Sequence, residues 1–223
     1  MKLWYQSATT DWKEGLPIGT GRLAAMVLGE AGSERFSLNH EWLWRGIWRN
    51  REPEKSAHLL EGVRALILAG KYEEGNIAGN DAFAGGGGRS KEKPTRVDPY
   101  QPAGDFHLAL KHGAASNYRR ELDLERGVVK IAYEADHIVF QHEAIAHIDH
   151  DLLFVRISAD TPFDGTFRLG RVEDPNCFLY FQSLYSTLIM DGQFEGGIGF
   201  RTEARLLASD GKACFADDHL ALT

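Results

Sequence analysis

Aromatic and polar residues that could bind a ligand are densest between positions 37 and 52, in the run SLNHEWLWRGIWRNRE. Three tryptophans stand there within seven positions, and arginines flank them. An indole face stacks on the apolar face of a sugar ring or on a neighbouring protein surface, while an arginine fork donates hydrogen bonds to carboxylates or hydroxyls. The run therefore indicates ligand contact or a domain interface. Together with Arg22 from an earlier segment, the candidate residues are Arg22, Asn39, His40, Glu41, Trp42, Trp44 and Arg45.

Two interpretations of the tryptophans stay open at the level of sequence. Trp42 and Trp44 are two residues apart, so on a strand they would share one face and could fill the core or a domain interface. Alternatively, Trp42, Trp44 and Trp48 could be the stacking platforms of a carbohydrate-binding module. Both interpretations give the tryptophans a contact role, and neither makes them catalytic.

A second group of polar side chains consists of His137, His142, His147, His150, Asp149 and Asp151. A metal-dependent enzyme could be built on such residues. On a strand, however, residues five apart point to opposite faces, so His137, His142 and His147 cannot converge on one ion without a turn between them. The pattern is more typical of solvent faces and turns. We predict no metal site and no cofactor.

The segment LPIGTGRLAAMVLG, residues 16–29, contains G-x-G-x-x-A, and Glu41 lies about where a ribose-binding acid would be expected. A dinucleotide site needs a strand before the glycines and a helix after them, because the pyrophosphate rests on the helix N-terminus. Here Pro17 interrupts the upstream segment, and the downstream apolar run soon ends at a glycine turn. We therefore expect Gly19 and Gly21 to be hairpin or bulge positions.

The elements that must position these residues are mainly strands. RLAAMVLGE and ERFSLN predict a β-hairpin, and short alternating segments follow one another from DFHLALKH onward. Between them, apolar residues recur at three and four positions and predict a short helical insertion near residues 54–84, with a stop at Gly70. Nine or more strands without a repeating βαβ pattern predict a large antiparallel β-sandwich.

The segment GGGGRSKEKPTRVDP, residues 85–99, has four glycines and no apolar period, which predicts a flexible surface loop. We expect residues 1–223 to form a single domain. The sequence stops in the strand-like HLALT, so we expect it to be cut at the C-terminal edge of a larger protein. The cysteines, Cys177 and Cys214, are too far apart for a disulfide framework or zinc ribbon, and we expect both to be buried thiols.

The composition excludes several function classes. The formal net charge of −7 argues against nucleic acid or an anionic membrane as the main partner, and a neutral or polar ligand fits better. The N-terminus shows no signal peptide, and no stretch approaches 18 apolar residues, so we expect a cytoplasmic chain as given.

Four segments, in order, resemble the N-terminal β-sandwich domain of glycoside hydrolase family 95, the inverting α-L-fucosidases and related α-L-galactosidases. LPIGTGRLAAMVLGE is similar to the family's L-P-I-G-N-G-R-L-G-A-M-V-F-G, and LNHEWLWRG to its L-N-E-D-x-L-W-S-G. YQPAGDFHL is similar to Y-Q-P-L-G-D-L-x-L, and YRRELDLERGVV to Y-x-R-E-L-D-L. The chain departs from the pattern at Thr20, Ala24, His40 and Arg45, where the family has Asn, Gly, Glu and Ser.

The resemblance implies a non-catalytic role for this chain. In the family, a glutamate general acid and asparagines that position water with help from an aspartate sit on an (α/α)6 barrel that follows this domain. No catalytic residue is therefore carried over onto the sequence. The resemblance also implies that the domain packs on its own catalytic barrel, and that the parent protein hydrolyses terminal α-linked L-fucose or L-galactose with inversion, without a cofactor. Fucosylated or galactosylated glycans would be its substrates.

Overall fold

The computed structural model describes residues 1–46, 56–83, 98–207, 211, 213–216 and 219–222. Trp48, the start of the predicted helical insertion and most of the predicted glycine-rich loop lie outside these residues. The chain divides into two compact units, which are residues 1–45 with 100–223, and residues 46–99.

The described part of the larger unit consists of strands joined by short turns. The strands are β1 (Lys2–Tyr5), β2 (Leu16–Gly19), β3 (Leu23–Val27), β4 (Ser33–His40), β5 (Gly104–Leu110), β6 (Ser116–Asp123), β7 (Val128–Ala135), β8 (Ile138–His147), β9 (Leu152–Ala159), β10 (Gly165–Gly170), β11 (Cys177–Leu184), β12 (Thr187–Phe194), β13 (Gly199–Arg205), β14 (Ala213–Ala216) and β15 (His219–Leu222).

These strands form antiparallel sheets in the orders β1-β6-β7-β8-β9, β14-β15-β10-β5-β4-β3-β2 and β11-β12-β13. Strands β2 and β3 of the seven-stranded sheet pack against β6–β9 of the five-stranded sheet, and β10 packs against β12 of the three-stranded sheet. The prediction of a mainly β, antiparallel sandwich with a short helical insertion is confirmed.

The core lies where the seven-stranded and five-stranded sheets face each other. Strand β7 shows how the sequence builds it, because Val129, Ile131, Tyr133 and Ala135 are buried while the residues between them are only half-buried. Successive side chains of a strand point to opposite faces, so one face of β7 enters the core. Each large apolar side chain buried in this way contributes about 1.5 to 3 kcal/mol.

The predicted hairpin of RLAAMVLGE and ERFSLN is confirmed as strands β3 and β4. Strand β2 pairs antiparallel with β3, with Leu16 opposite Val27, and β3 pairs in turn with β4. Gly21, in the β2–β3 turn, has a φ of 91°, a left-handed conformation that favours glycine. A strand follows the glycines where a dinucleotide site would need a helix, so the segment is not a nucleotide-binding fingerprint.

The smaller unit contains the predicted insertion. A 3₁₀ turn at Ala57–Leu59 leads into α1 (Leu60–Leu68), and α2 (Tyr72–Phe83) follows. Gly70 separates the helices with a φ of 75°, as the predicted stop requires. Within the described residues, neither helix is long and apolar enough to cross a membrane.

One sequence expectation on the later strands is wrong. Cys177 is buried but Cys214 is exposed, so the two cysteines do not share an environment. The segment CFLYFQSLYSTLIMDG contains β11, a turn and most of β12. Tyr185 takes a left-handed φ of 52° between them, and its residue type gave no turn signal.

Two ionisable side chains lie inside the sandwich. Glu34 is 1% exposed, and its Oε1 accepts hydrogen bonds from the backbone N–H groups of Gly29 and Arg35 at 2.7 and 3.1 Å. Burial raises the pKa of Glu34 to about 8. His142 is 2% exposed, and its Nε2 lies 3.3 Å from the hydroxyl of Tyr133. Burial lowers the pKa of His142 to about 4.

Candidate functional site

Five of the polar and aromatic side chains meet at one end of the sandwich. Arg22 comes from the β2–β3 turn, His40 ends β4, and the turn after β4 supplies two more. A residue of the β8–β9 turn completes the group. We call it the Arg22 cluster, and its members are Arg22, His40, Glu41, Trp42 and Asp151.

Strand register explains why the first of these residues meet. Leu23 lies opposite His40 in the β3–β4 pair, and the backbone N–H of Glu41 donates to the carbonyl of Arg22 at 2.9 Å. The hydroxyl of Thr20 accepts from the backbone N–H groups of Arg22 and Leu23, each at 3.3 Å, and so holds the turn. The local sequence therefore fixes where the Arg22 side chain starts.

A charge network then links the two large sheets. Arg22 Nη2 lies 2.6 Å from Asp151 Oδ2, and Arg22 Nε lies 3.7 Å from Glu41 Oε1. His40 Nε2 lies 3.4 Å from the same Asp151 oxygen. The backbone N–H of Trp42 donates to His40 Nδ1 at 3.3 Å, which leaves Nε2 as the nitrogen that carries the proton in neutral His40. One side of Asp151 thus faces two donors.

Trp42 projects from this network into solvent. Its side chain is 68% exposed, the Arg22 guanidinium carbon lies 5.1 Å from the ring centroid, and the His40 ring meets it edge-on at 5.9 Å. The interpretation that Trp42 and Trp44 fill the core is wrong, because β4 ends at His40 and Trp44 is also 43% exposed. Their two-residue spacing falls on a turn and not on a strand.

Trp44 is held beside the cluster by a partner that spacing did not reveal. Its indole N–H donates to the carbonyl of Glu41 at 2.9 Å, and its ring meets Tyr100 edge-on at 5.2 Å. Partial burial and the charge of Glu41 raise the pKa of Tyr100. The sequence carried a signal for Tyr100, since it begins the segment YQPAGDFHL.

Two predicted site residues have other surroundings. Arg45 Nη2 pairs with Asp174 at 2.9 Å, and its guanidinium lies 5.6 Å from the ring of Phe194. This side chain anchors the segment before β11 to the body of the sandwich. Asn39 lies on β4 opposite Ala24 and is half-buried. The structure therefore joins Arg22, His40, Glu41, Trp42 and Trp44, and sets Arg45 in a different ion pair.

Comparison with known proteins decides the class of this chain. Residues 3–223 match the family described as glycosyl hydrolase family 65, N-terminal domain. The chain belongs to this family. It is 31% identical to alpha-L-fucosidase 2 of Arabidopsis thaliana over 175 residues, which are 76% of this chain and 20% of that protein. It is 30% identical to probable alpha-fucosidase A of Aspergillus oryzae over 148 residues, 59% of this chain and 18% of that protein.

The chain spans about one fifth of the length of the curated relatives it matches. The matches support a glycoside hydrolase N-terminal domain with α-fucosidase-like relatives. The more specific resemblance to family 95 stays a prediction.

The glycosyl hydrolase N-terminal domain also exposes an apolar patch at the same end. It consists of Ile145, Ile148, Leu152 and Phe154, which are between 40% and 78% exposed. Ile145 lies opposite Phe154 in the β8–β9 pair, while Ile148 and Leu152 flank the turn that carries Asp151. Along the chain, the patch therefore adjoins Asp151 of the Arg22 cluster.

The same sheet face changes character away from this end of the domain. In the row next to Ile145 and Phe154, Lys130, Glu143 and Arg156 lie side by side, and Lys130 Nζ pairs with Glu143 at 2.7 Å. Such a charged ladder is typical of a solvated face. Towards the β8–β9 turn, exposed apolar side chains replace these charged ones.

The histidines are separated by the fold. His142 is inside the sandwich and His137 occupies the β7–β8 turn, whereas His147 and His150 stack at 4.9 Å beside the apolar patch. Among the residues that the structure describes, no three histidine, cysteine or acidic side chains are grouped to hold a metal ion. What the Arg22 cluster offers is binding chemistry: an exposed indole and carboxylates held by a guanidinium.

Proposed function

We propose that this chain is the non-catalytic N-terminal domain of a family-95-type glycoside hydrolase. The parent protein would hydrolyse terminal α-L-fucosyl or α-L-galactosyl linkages with inversion. Two relatives with fucosidase names and the four ordered motif segments support the proposal. The observation that carries the domain's role is the apolar patch beside the Arg22 cluster at one end of the sandwich.

This end of the domain docks on the catalytic barrel. Removing apolar surface from water contributes a favourable free energy of about 25 cal/mol per Å². An apolar patch rimmed by polar groups is typical of an interface. Phe154 and Ile148 supply the apolar centre, while Arg22 and Asp151 supply the polar rim. Trp42, exposed and with the Arg22 guanidinium over its ring, has the properties of an interface anchor.

Two of the four departures from the family pattern lie in or near the docking surface. His40 stands where the family has a glutamate and shares Asp151 with Arg22. Thr20 stands where the family has an asparagine, and its hydroxyl holds the turn that presents Arg22. Both changes alter the groups that face the barrel. We therefore propose that this end helps to close one side of the substrate pocket, and that its sugar preference differs from that of the family pattern.

The chemical steps belong to the barrel. An inverting hydrolase protonates the glycosidic oxygen with one carboxylic acid and activates water on the opposite ring face with another carboxylate. Glu41 and Asp151 are unsuited to that pairing, because both face the same guanidinium of Arg22. The domain contributes position and shape, and the reaction requires no cofactor.

A carbohydrate-binding module is the second candidate function. The 68% exposure of the Trp42 indole favours it, since an open aromatic face stacks on sugar rings. Titration with fucosyl and galactosyl oligosaccharides, followed by tryptophan fluorescence, distinguishes this function. A saturable signal that Trp42→Ala removes would support the module, and no saturable signal from any sugar would exclude it.

The proposed function is tested by assaying an aryl α-L-fucoside and an aryl α-L-galactoside. The 223-residue chain alone and a longer gene product that contains the barrel are compared at equal molar concentration. We expect turnover only from the longer product, with inversion at the anomeric carbon observed by NMR. Turnover by the chain alone would contradict the non-catalytic role, and an inactive or retaining longer product would contradict the family-95 assignment.

A further inference from the structure

The three-stranded sheet turns an unusual row of side chains outward. Tyr180 on β11 lies opposite Asp191 on β12, which lies opposite Arg201 on β13. Cross-strand neighbours share one face of a sheet, so the three side chains lie side by side. Tyr180 is 62% exposed, and its neighbour two residues earlier, Phe178, is 54% exposed on the same face. Aromatic rings therefore stand next to an ion pair on an open surface.

The polar groups of this row are already fixed. Arg201 donates through Nε and Nη2 to the two carboxylate oxygens of Asp191, at 2.7 and 2.9 Å. Gln193 donates through Nε2 to the backbone carbonyls of Phe194 and Gly197, each at 3.0 Å. A planar amide held by its nitrogen keeps its oxygen in one place. The carboxylate of Asp191 and the amide oxygen of Gln193 are therefore ordered before a ligand binds, so binding loses little side-chain entropy.

A glycine gives the amide of Gln193 its space on this face. A Cβ added at Gly199 would lie 2.8 Å from Gln193 Oε1, so glycine leaves room for the amide. A shallow groove of about 570 Å³ lies between Tyr180 and Arg201.

The chemistry of the groove selects a neutral ligand. An anion would meet the carboxylate of Asp191, whose pKa Arg201 holds below its ordinary value. A cation would have to compete with Arg201 for that carboxylate. A pyranose ring suits both features, because its apolar face stacks on tyrosine and its hydroxyls bond to carboxylate, guanidinium and amide groups.

We propose that the groove of Tyr180, Asp191, Gln193 and Arg201 is a binding site for a neutral pyranose unit of a glycan chain. It lies on the three-stranded sheet, whereas the Arg22 cluster joins the other two sheets. The inference does not depend on the proposed function, since it requires neither the barrel nor hydrolysis. It gives the domain a second contact with carbohydrate, made by a surface that binds and does not react.

Saturation-transfer NMR and calorimetric titration of the chain test the site with three named probes. These are 2′-fucosyllactose, cellohexaose and, as a charged comparator, trigalacturonic acid. We expect saturable binding of at least one neutral probe and weaker binding of the charged one. Tyr180→Ala should weaken binding about tenfold, since it removes the stacking surface, and Gln193→Ala should weaken it less.

Trp4→Ala is the matched control. Trp4 is 51% exposed on the five-stranded sheet and has the Arg119 guanidinium 4.7 Å from its ring, so it offers similar groups without the groove. Its variant should bind as the wild type does. Absence of saturable binding to either neutral probe would overturn the proposal, as would binding that Trp42→Ala removes and Tyr180→Ala leaves unchanged. The aryl glycoside assay is a separate readout, so failure here leaves the proposed function standing.

Discussion

Arg22 and Asp151 form an ion pair with a 2.6 Å contact although 129 residues separate them along the chain. The pair ties the β2–β3 turn of the seven-stranded sheet to the β8–β9 turn of the five-stranded sheet. Both partners are about half exposed, and both border groups that have no other evident use: the open indole of Trp42 and the apolar patch around Phe154. The pair therefore marks the end of the domain that we assign to the catalytic barrel.

Removing the guanidinium should affect the barrel more than the fold. For Arg22→Ala in the chain alone, we expect a loss of only about 0 to 1 kcal/mol of unfolding free energy, because solvent screens exposed ion pairs. In the longer protein, the same change should lower activity on the aryl glycoside by at least about fivefold. Arg22→Lys keeps the charge but not the fork, so its activity should lie between those of the wild type and Arg22→Ala. A large loss of stability with normal activity would make the pair structural and not functional.

Trp42 should be dispensable for folding. We expect Trp42→Ala to change the unfolding free energy of the chain by less than about 0.5 kcal/mol, as for other exposed positions. Phe140→Ala is the comparison, since Phe140 is 1% exposed and its truncation should cost about 3 to 5 kcal/mol. Urea denaturation followed by circular dichroism measures both. Equal losses in the two variants would contradict the exposure of the indole.

Glu34 should make the domain less stable as the pH rises. Its folded-state pKa of about 8 lies above the ordinary value of 4.5, because burial disfavours the carboxylate. The folded state therefore holds its proton between these values while the unfolded state releases it, and stability falls from pH 4.5 towards pH 8. Glu34→Gln, which stays neutral, should match the wild type at pH 4.5 and exceed it by about 1 to 3 kcal/mol at pH 8. Parallel curves at all pH values would contradict this.

His142 should make the domain less stable as the pH falls in the acid range. Its folded-state pKa of about 4 lies below the ordinary 6.5, because burial disfavours the imidazolium and the neighbouring His112 adds repulsion. Stability should be complete above pH 6.5 and decline as the pH falls towards 4, by a few kcal/mol at most (about 1.4 for each pKa unit). In His142→Phe this decline should be reduced, whereas His147→Gln at the surface should retain it. Denaturation midpoints between pH 4 and 7 give the comparison.

Much of the fold follows from local sequence, and the site follows only in part. Gly21 and Gly70 mark turns because their backbone takes left-handed conformations, and alternation predicts strands such as β7. The interpretation of Trp42 as a strand residue in the core fails, since β4 ends two residues earlier and periodicity alone does not locate that end.

The partners of the site residues were not predictable from spacing. The sequence marks Asp151 only as one acid near several histidines, and it gives no sign that Asp174 pairs with Arg45. Each of these acids reaches its arginine through the packing of distant strands, across 129 residues in both cases. A single sequence holds no local trace of such a contact. Tyr100 is different, because the motif that contains it already stood out.

The most direct test of the account is to map solvent protection at this end of the domain. Hydroxyl-radical footprinting read by mass spectrometry reports side-chain exposure at Trp42 and Phe154, with Tyr180 on the three-stranded sheet as the internal reference. The account predicts that both residues are modified rapidly in the 223-residue chain and at least about fivefold more slowly in the longer, barrel-containing protein, while Tyr180 stays equally reactive. Equal modification of Trp42 and Phe154 in the two proteins would contradict docking through this surface.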